Sequence, residues 1–375
     1  MQKKIYAALT LLVMASLALA ACGPAATPTE EITAPPETAA PTEAPTVPPV
    51  AFQACQVTDT GGIDDKSFNA TAWKGIEDAQ AQLGVEGFFL ESQQQTDYAR
   101  NIEEFLDQGC DLIVTVGFLL GDDTAAAAQA NPDQLFAIVD FDFADFSTTP
   151  PTDVTYDNVK ELTFKTDEAA FLAGYMAAGV TQTGVVGTFG GLQIPTVTIF
   201  MDGFYYGVQH YNTVHGTSVS VLGWDPMAQT GLFTGNFEST DDGRAMGVTL
   251  MDEGADIIMP VAGPVGLGTA AAAQERGNVY VIGVDSDWTV SAAEYAPIVL
   301  TSVLKNMDVA VFGSIQEALD GTFAGGLYVG TLENGGVGIA QPTAPMDAMV
   351  SPDLWTEVQD LADAIISGEV STTGG

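Results

Sequence analysis

Positive charge is scarce in this chain. Ten Lys and Arg stand against 49 Asp and Glu, for a net charge of −39. So acidic a surface argues against nucleic acids, anionic lipid and highly phosphorylated ligands as partners. Solubility explains most of the excess, yet scarcity makes any Lys or Arg near a candidate cleft informative. Histidine is scarcer still: His210 and His215 are the only two, and no CxxC occurs among the three cysteines. A zinc centre or a histidine-based triad is poorly supported, so no metal and no cofactor are expected. No GxSxG turn and no other activated nucleophile is found, which speaks against an enzyme. Beyond the N-terminus, no segment has the ~20 apolar residues that a membrane-spanning helix needs.

The N-terminus carries an export address. Lys3 and Lys4 form a short basic start, Tyr6 to Leu19 is uncharged and apolar, and small residues follow. That is the layout of a secretory signal, expected over residues 1–21. Leu19-Ala20-Ala21-Cys22-Gly23 resembles a lipobox, which implies acylation of Cys22 and a membrane-anchored, extracytoplasmic protein. Two or more acyl chains hold a protein stably on a bilayer, each buried CH₂ contributing ~0.8 kcal/mol. Residues 22–50 are almost wholly Ala, Pro, Thr and Glu, with too little apolar surface to fold. They are expected to form an extended stalk. Losing Lys3 and Lys4 takes the net charge from −39 to −41.

The roughly 325 residues that follow exceed one ordinary core, and the sequence is 46% apolar, so two lobes are expected. Short apolar runs recur at Phe52–Val57, Gly87–Leu90, Leu112–Val116, Phe136–Val139, Gly184–Phe189, Val219–Leu222, Ile257–Pro260, Val279–Val284 and Ile298–Val303. Amphipathic stretches lie between them, such as Ala72–Leu83 with Trp73, Ile76, Ala79 and Leu83 on one face. Apolar strands alternating with helices predict an α/β fold of doubly wound parallel sheets. Thr166-Asp167-Glu168 reads as the cap of one helix, and Ser351-Pro352-Asp353 as the start of another. The N-terminal lobe is expected over 51–160 plus about 304–328, and the C-terminal lobe over 161–303 plus about 329–367. Cys55 and Cys110 each border an apolar run and are expected as buried free thiols rather than a disulfide.

In such sheets ligands bind beyond the carboxyl ends of the strands. The first strand runs into Asp59-Thr60-Gly61-Gly62-Ile63-Asp64-Asp65-Lys66-Ser67-Phe68-Asn69, which brings a carboxylate, an aromatic ring and an amide to one edge. Alone, this segment is also compatible with a capped loop whose Phe68 packs inward. Gly263-Pro264-Val265-Gly266-Leu267-Gly268 lacks the Lys-Ser/Thr of a P-loop, and reads as a tight strand-to-helix turn lining the cleft.

These blocks resemble the basic membrane protein family of nucleoside-binding lipoproteins. The likeness begins at Asp59-Thr60-Gly61-Gly62-Ile63-Asp64-Asp65-Lys66-Ser67-Phe68-Asn69 with Trp73 and Gly75. It continues through Phe171-Leu172-Ala173-Gly174-Tyr175, Ile282-Gly283-Val284-Asp285-Ser286-Asp287 and Leu300-Thr301-Ser302-Val303-Leu304-Lys305, and covers roughly Gln53 to Ala340. It implies a type I periplasmic-binding-protein fold, two lobes joined by a hinge and closing on a ligand, most simply a purine nucleoside. Carried onto this chain, Asp59 and Asn69 face the base and Phe68 stacks on it. Asp122 takes a ligand hydroxyl or ring group, with Asp123 beside it. Phe237 faces Phe68 from the other lobe, with Phe233 competing for that place. Gly263 brings backbone close to the ligand, and Asp285 and Lys305 hold the sugar. Trp288 either packs near the hinge or reshapes the pocket. The partner implied is an ABC transporter permease, with the binding protein acting as a monomer. The alternatives are a sensor lipoprotein presenting its ligand to a membrane receptor, and a nucleoside-processing enzyme.

Overall fold

The computed structural model describes residues 51–145 and 152–374. The signal, Cys22 and the stalk expected over 1–50 lie outside the described residues. Twelve sheet strands and the main helices are numbered here in chain order. The chain starts with β1 (Gln53–Val57), α1 (Phe68–Leu83), β2 (Glu86–Leu90), α2 (Tyr98–Gln108), β3 (Leu112–Val116), α3 (Gly121–Ala130), β4 (Leu135–Val139) and β5 (Val159–Phe164). It continues with α4 (Thr166–Val180), β6 (Val185–Gly190), α5 (Pro195–His215), β7 (Ser220–Leu222), α6 (Thr240–Asp252), β8 (Ile257–Val261), α7 (Gly266–Arg276), β9 (Tyr280–Asp285) and β10 (Val299–Lys305). Then come α8 (Met307–Leu319), β11 (Gly326–Gly330), β12 (Val337–Ile339) and α9 (Pro352–Ile366).

The strands form two six-stranded sheets, ordered β11-β5-β4-β3-β1-β2 and β12-β10-β9-β8-β6-β7. Every pairing in the first sheet is parallel, and in the second only β10 with β12 is antiparallel. Strands such as β3, Leu-Ile-Val-Thr-Val, are buried throughout because helices cover both faces. The two orders correspond position by position, so β4 and β9 are equivalent, as are β5 and β10. This is the type I periplasmic-binding-protein architecture: two parallel α/β lobes, with the carboxyl ends of the strands turned to a shared cleft.

The chain crosses between lobes three times. The first crossing is at Lys165, after β5, and not at the boundary expected after residue 160: β5 pairs with β4 and belongs to the first sheet. The return is at Asn306, between β10 and α8, and the last passage joins β11 to β12. The strands of the hinge are tied by backbone bonds from Lys165 N to Gly330 O at 2.8 Å and from Asn306 N to Gly336 O at 2.9 Å. Gly330 and Gly336 approach so closely that a Cβ on Gly336 would lie 2.2 Å from the Gly330 Cα.

Two local expectations are corrected. Cys55 and Cys110 form a disulfide, their Cα atoms 6.2 Å apart. The parallel pairing of Ala54 with Leu112 brings the two ends together, a tertiary proximity that strand-by-strand reading does not contain. Thr166 is not a cap either. It is the first residue of α4, its side chain makes no cap bond, and its buried Oγ1 has no partner. The Ser351 cap of α9 is present, with Ser351 Oγ accepting from Leu354 N at 3.1 Å.

Candidate functional site

The cleft site is built first from the turn after β1. Asp65, rather than Ser67, caps α1: its carboxylate accepts from the backbone N–H of Ser67 (3.0 Å), Asn69 (2.8 Å) and Ala70 (3.0 Å). This fixes the first turn of the helix and aims Asn69 inward. Asn69 Nδ2 donates to Asp59 Oδ1 at 2.7 Å and to Asp65 Oδ2 at 3.3 Å. Two carboxylates on one side set the amide's orientation, since a flipped oxygen would face both. Asn69 Oδ1 is therefore left buried and without a partner. Asp59 Oδ1 also accepts from Gly61 N at 3.1 Å. Burial is the main cause that pushes the Asp59 carboxyl up to about 6 and Asp65 up to about 7, despite these donors.

The second lobe supplies an aromatic wall and a charged corner. Phe237 lines the cavity and lies on Gly191, where a Cβ would fall 2.2 Å from the ring; only glycine admits the ring there. Phe233 points into the lobe instead, edge-on to Trp224 at 5.9 Å. Gly263 and Pro264 line the cavity from the turn after β8. Asp285 ends β9, Asp140 follows β4, and both hold left-handed backbone, at φ 67° and 68°. Asx residues visit that region more readily than most. Lys305, at the end of β10, is buried and ion-paired with Asp140. Its ammonium lies 5.0 Å from the Phe68 ring, 5.4 Å from Phe164 and 5.8 Å from Phe200. Burial pushes the Asp140 and Asp285 carboxyls up, and the charge of Lys305 pulls both back.

Together these groups line about 550 Å³ of space between atoms, part of it open to solvent, of which about 60 Å³ can hold the centre of a water molecule. The cleft is thus a narrow slot. Contacts between the lobes hold it shut: Ser67 Oγ donates to Asp285 Oδ2 at 2.7 Å, Ser286 Oγ to Lys66 O at 3.0 Å, and Lys66 pairs with Glu294 at 2.9 Å.

Residues 52–373 match the family described as Bmp, ABC transporter substrate-binding protein PnrA-like. The chain belongs to this family. It is therefore a substrate-binding protein of the ABC transporter type, whose function implies a small-molecule ligand and a transporter partner. Among its relatives, "Basic membrane protein A" of Borreliella burgdorferi is 31% identical over 314 residues, covering 83% of this chain and 84% of that one. "ABC transporter nucleoside-binding protein BmpA" of Lactococcus lactis is 30% identical over 310 residues, covering 78% and 82%. A solved ABC transporter solute-binding protein from Aeropyrum pernix superposes with a TM-score of 0.73 at 28% identity, covering 85% of this chain and 92% of that one. No helix among the described residues is long and apolar enough to cross a membrane.

Of the residues carried onto this Bmp chain from the sequence, Asp59, Phe68, Asn69, Phe237, Gly263, Asp285 and Lys305 all line one cavity. Asp122 does not. It is exposed in the first turn of α3, and Asp123 does not line the cavity either. Trp288 is fully buried, with Nε1 donating to Val284 O at 3.1 Å and its ring against Gly283 and Gly266. It props the Asp285 turn from behind and stays out of the cavity. Sequence reading missed Asp140, Phe200 and Phe118, which line the slot. A signal for Asp140 existed. It follows Phe136–Val139 just as Asp285 follows Ile282–Val284, at the equivalent strand of the other lobe.

Proposed function

We propose that this substrate-binding protein closes on a purine nucleoside and delivers it, as a monomer tethered through Cys22, to an ABC importer at the extracytoplasmic face of the membrane. The observation that carries the ligand class is the unpartnered Asn69 Oδ1 beside the Asp59 carboxylate, in a slot with Phe68 and Phe237 on its walls. A buried acceptor is rarely left unpaired. A flat base offers N–H groups at its edge and apolar faces to aromatic rings, and satisfies that environment. Ribose hydroxyls suit Asp285 and Lys305, where charge-assisted bonds are roughly twice as strong as neutral ones. The nucleoside-binding relative from Lactococcus supports the same class. Anchoring rests on the lipobox-like sequence around Cys22, which needs no spanning helix.

Titration calorimetry of the chain from Val50 against adenosine, guanosine, inosine, cytidine, uridine and free ribose tests the ligand. Saturable heat with purine nucleosides is expected, with weaker binding of 2′-deoxy forms, since a buried carboxylate would lose its partner. Silence with every nucleoside would sink the ligand class. Labelling with radioactive palmitate in cells, lost in Cys22→Ser, tests the anchor, and sedimentation tests the monomer.

A further inference from the structure

A second cavity adjoins the slot on its hinge side. The two share Phe118, Asp140, Thr196 and Lys305 as common wall, so the ion pair of Lys305 with Asp140 stands at the seam between them. The second is the roomier: about 1030 Å³ lies between its atoms and about 370 Å³ can hold the centre of a water molecule. Its own walls are apolar at Phe141, Phe164, Pro195, Ile199 and Val329, drawn from both lobes and the hinge strand β11, and polar at Asp142, Thr163 and Lys165. Thr166, at the start of α4, also lines it, and the fully buried Thr166 Oγ1 has no partner. Part of that space is open to solvent, and the nucleoside reading puts base and sugar in the slot, so this chamber lies beyond them.

We propose that the second cavity is a subsite for an apolar substituent on the sugar end of the ligand, so that this protein takes nucleosides carrying an alkyl or aryl arm at the 5′ position. The inference rests on the nucleoside reading, which sets the sugar at Asp285 and Lys305, and it assigns the 5′ end to the Lys305 side, where the seam lies. An arm leaving the 5′ oxygen passes Lys305, whose ammonium still donates to an ether oxygen, and then meets Phe164, Ile199 and Val329. Each fully buried methylene strengthens binding roughly fourfold. The chamber is open on one side, so a propyl arm is expected to gain about tenfold in affinity.

The test is calorimetry of the chain from Val50, which forms one compact unit with both sheets. The probes are adenosine, guanosine and their 5′-O-propyl ethers. The ethers are expected to bind about tenfold more tightly than the parent nucleosides. In Ile199→Trp, and separately in Val329→Phe, the chamber is filled: the ethers should lose their advantage while the parents bind as before. Parents that bind and ethers that bind no tighter overturn the subsite and leave the nucleoside reading intact. An advantage that survives both filled variants also overturns it, since the arm then lies elsewhere. If neither parents nor ethers bind, the nucleoside reading fails and the subsite fails with it.

Discussion

Ser67 and Asp285 meet across the cleft, the hydroxyl of one lobe donating to the carboxylate of the other at 2.7 Å, with both residues buried. Ser67 is fixed by the turn that Asp65 caps, and Asp285 by the left-handed turn that Trp288 supports. Each therefore reports the position of its own lobe, and the bond exists only when the lobes are closed. A hydrogen bond to a charged group contributes about 1.5–3 kcal/mol. Ser67→Ala removes it without touching either core. We expect ligand affinity to fall by roughly ten- to a hundredfold, with little change in melting temperature. Small-angle scattering should show a larger ligand-free radius of gyration. Unchanged affinity and radius would mean the bond plays no part in closure.

Lys305 faces two buried carboxylates, Asp140 and Asp285. Lys305→Met keeps most of the volume and removes the charge, leaving uncompensated acidity in a dry site. Breaking a buried pair in this way costs about 3–5 kcal/mol. The melting temperature should drop by several degrees and nucleoside binding should disappear. Adding Asp140→Asn should restore part of the stability, because the stranded charge is gone, without restoring binding. Equal stability of the single and double variants would show that the pair is not coupled.

How much of this was legible beforehand follows from where the information lies. Continuous apolar runs marked nine of the sheet strands: the central ones are covered on both faces and so apolar along their length, while the edge strands β2 and β7 are apolar yet partly exposed. β5 escaped notice because Lys160 and Glu161 interrupt its run. Tertiary partners accommodate them: Lys160 pairs with Glu317, and Glu161 Oε2 accepts from Phe143 N. Seven cleft residues were reachable from one motif-rich resemblance, whereas Asp122 was carried over by position and its helix turns it to solvent. The Cys55–Cys110 bond and the Asp140–Lys305 pair join residues 55 and 165 positions apart. Only sheet order brings such partners together.

We expect Asp59 to make binding pH-dependent. Burial raises its carboxyl to about 6, and a proton there removes an acceptor from the proposed base edge. Affinity should be constant near pH 8 and fall up to tenfold per pH unit below about 6. Asp59→Asn should bind weakly at pH 8 and lose that dependence. The ligand-free protein behaves oppositely. For Asp59 and Asp65, at about 7, the folded state holds protons that the unfolded chain has released above its ordinary carboxylate range near 4. Their contribution therefore favours the fold at low pH and is lost as pH rises from about 4 through 7. Thermal melts across that range should show the decline, reduced in Asp59→Asn. A flat profile in the parent protein would contradict the burial of both groups.

The hinge offers the sharpest separation of stability from function. Gly330 and Gly336 lie at the two ends of the last interlobe passage, and a Cβ on Gly336 would meet the Gly330 Cα at 2.2 Å. Real contacts of that kind do not occur, so Gly336→Ala must push the strands apart. The ties from Lys165 N to Gly330 O and Asn306 N to Gly336 O lie beside the strain. No cleft residue is altered, and the two lobe cores are remote from the change. We expect the open form to gain population, so that apparent affinity falls in proportion to the fraction still able to close. The melting temperature of the ligand-free protein should shift little, while the stabilisation conferred by saturating nucleoside shrinks. Scattering should report a wider ligand-free particle. Wild-type affinity and radius in Gly336→Ala would show that this contact does not govern closure, and would move the hinge to the other two crossings at Lys165 and Asn306.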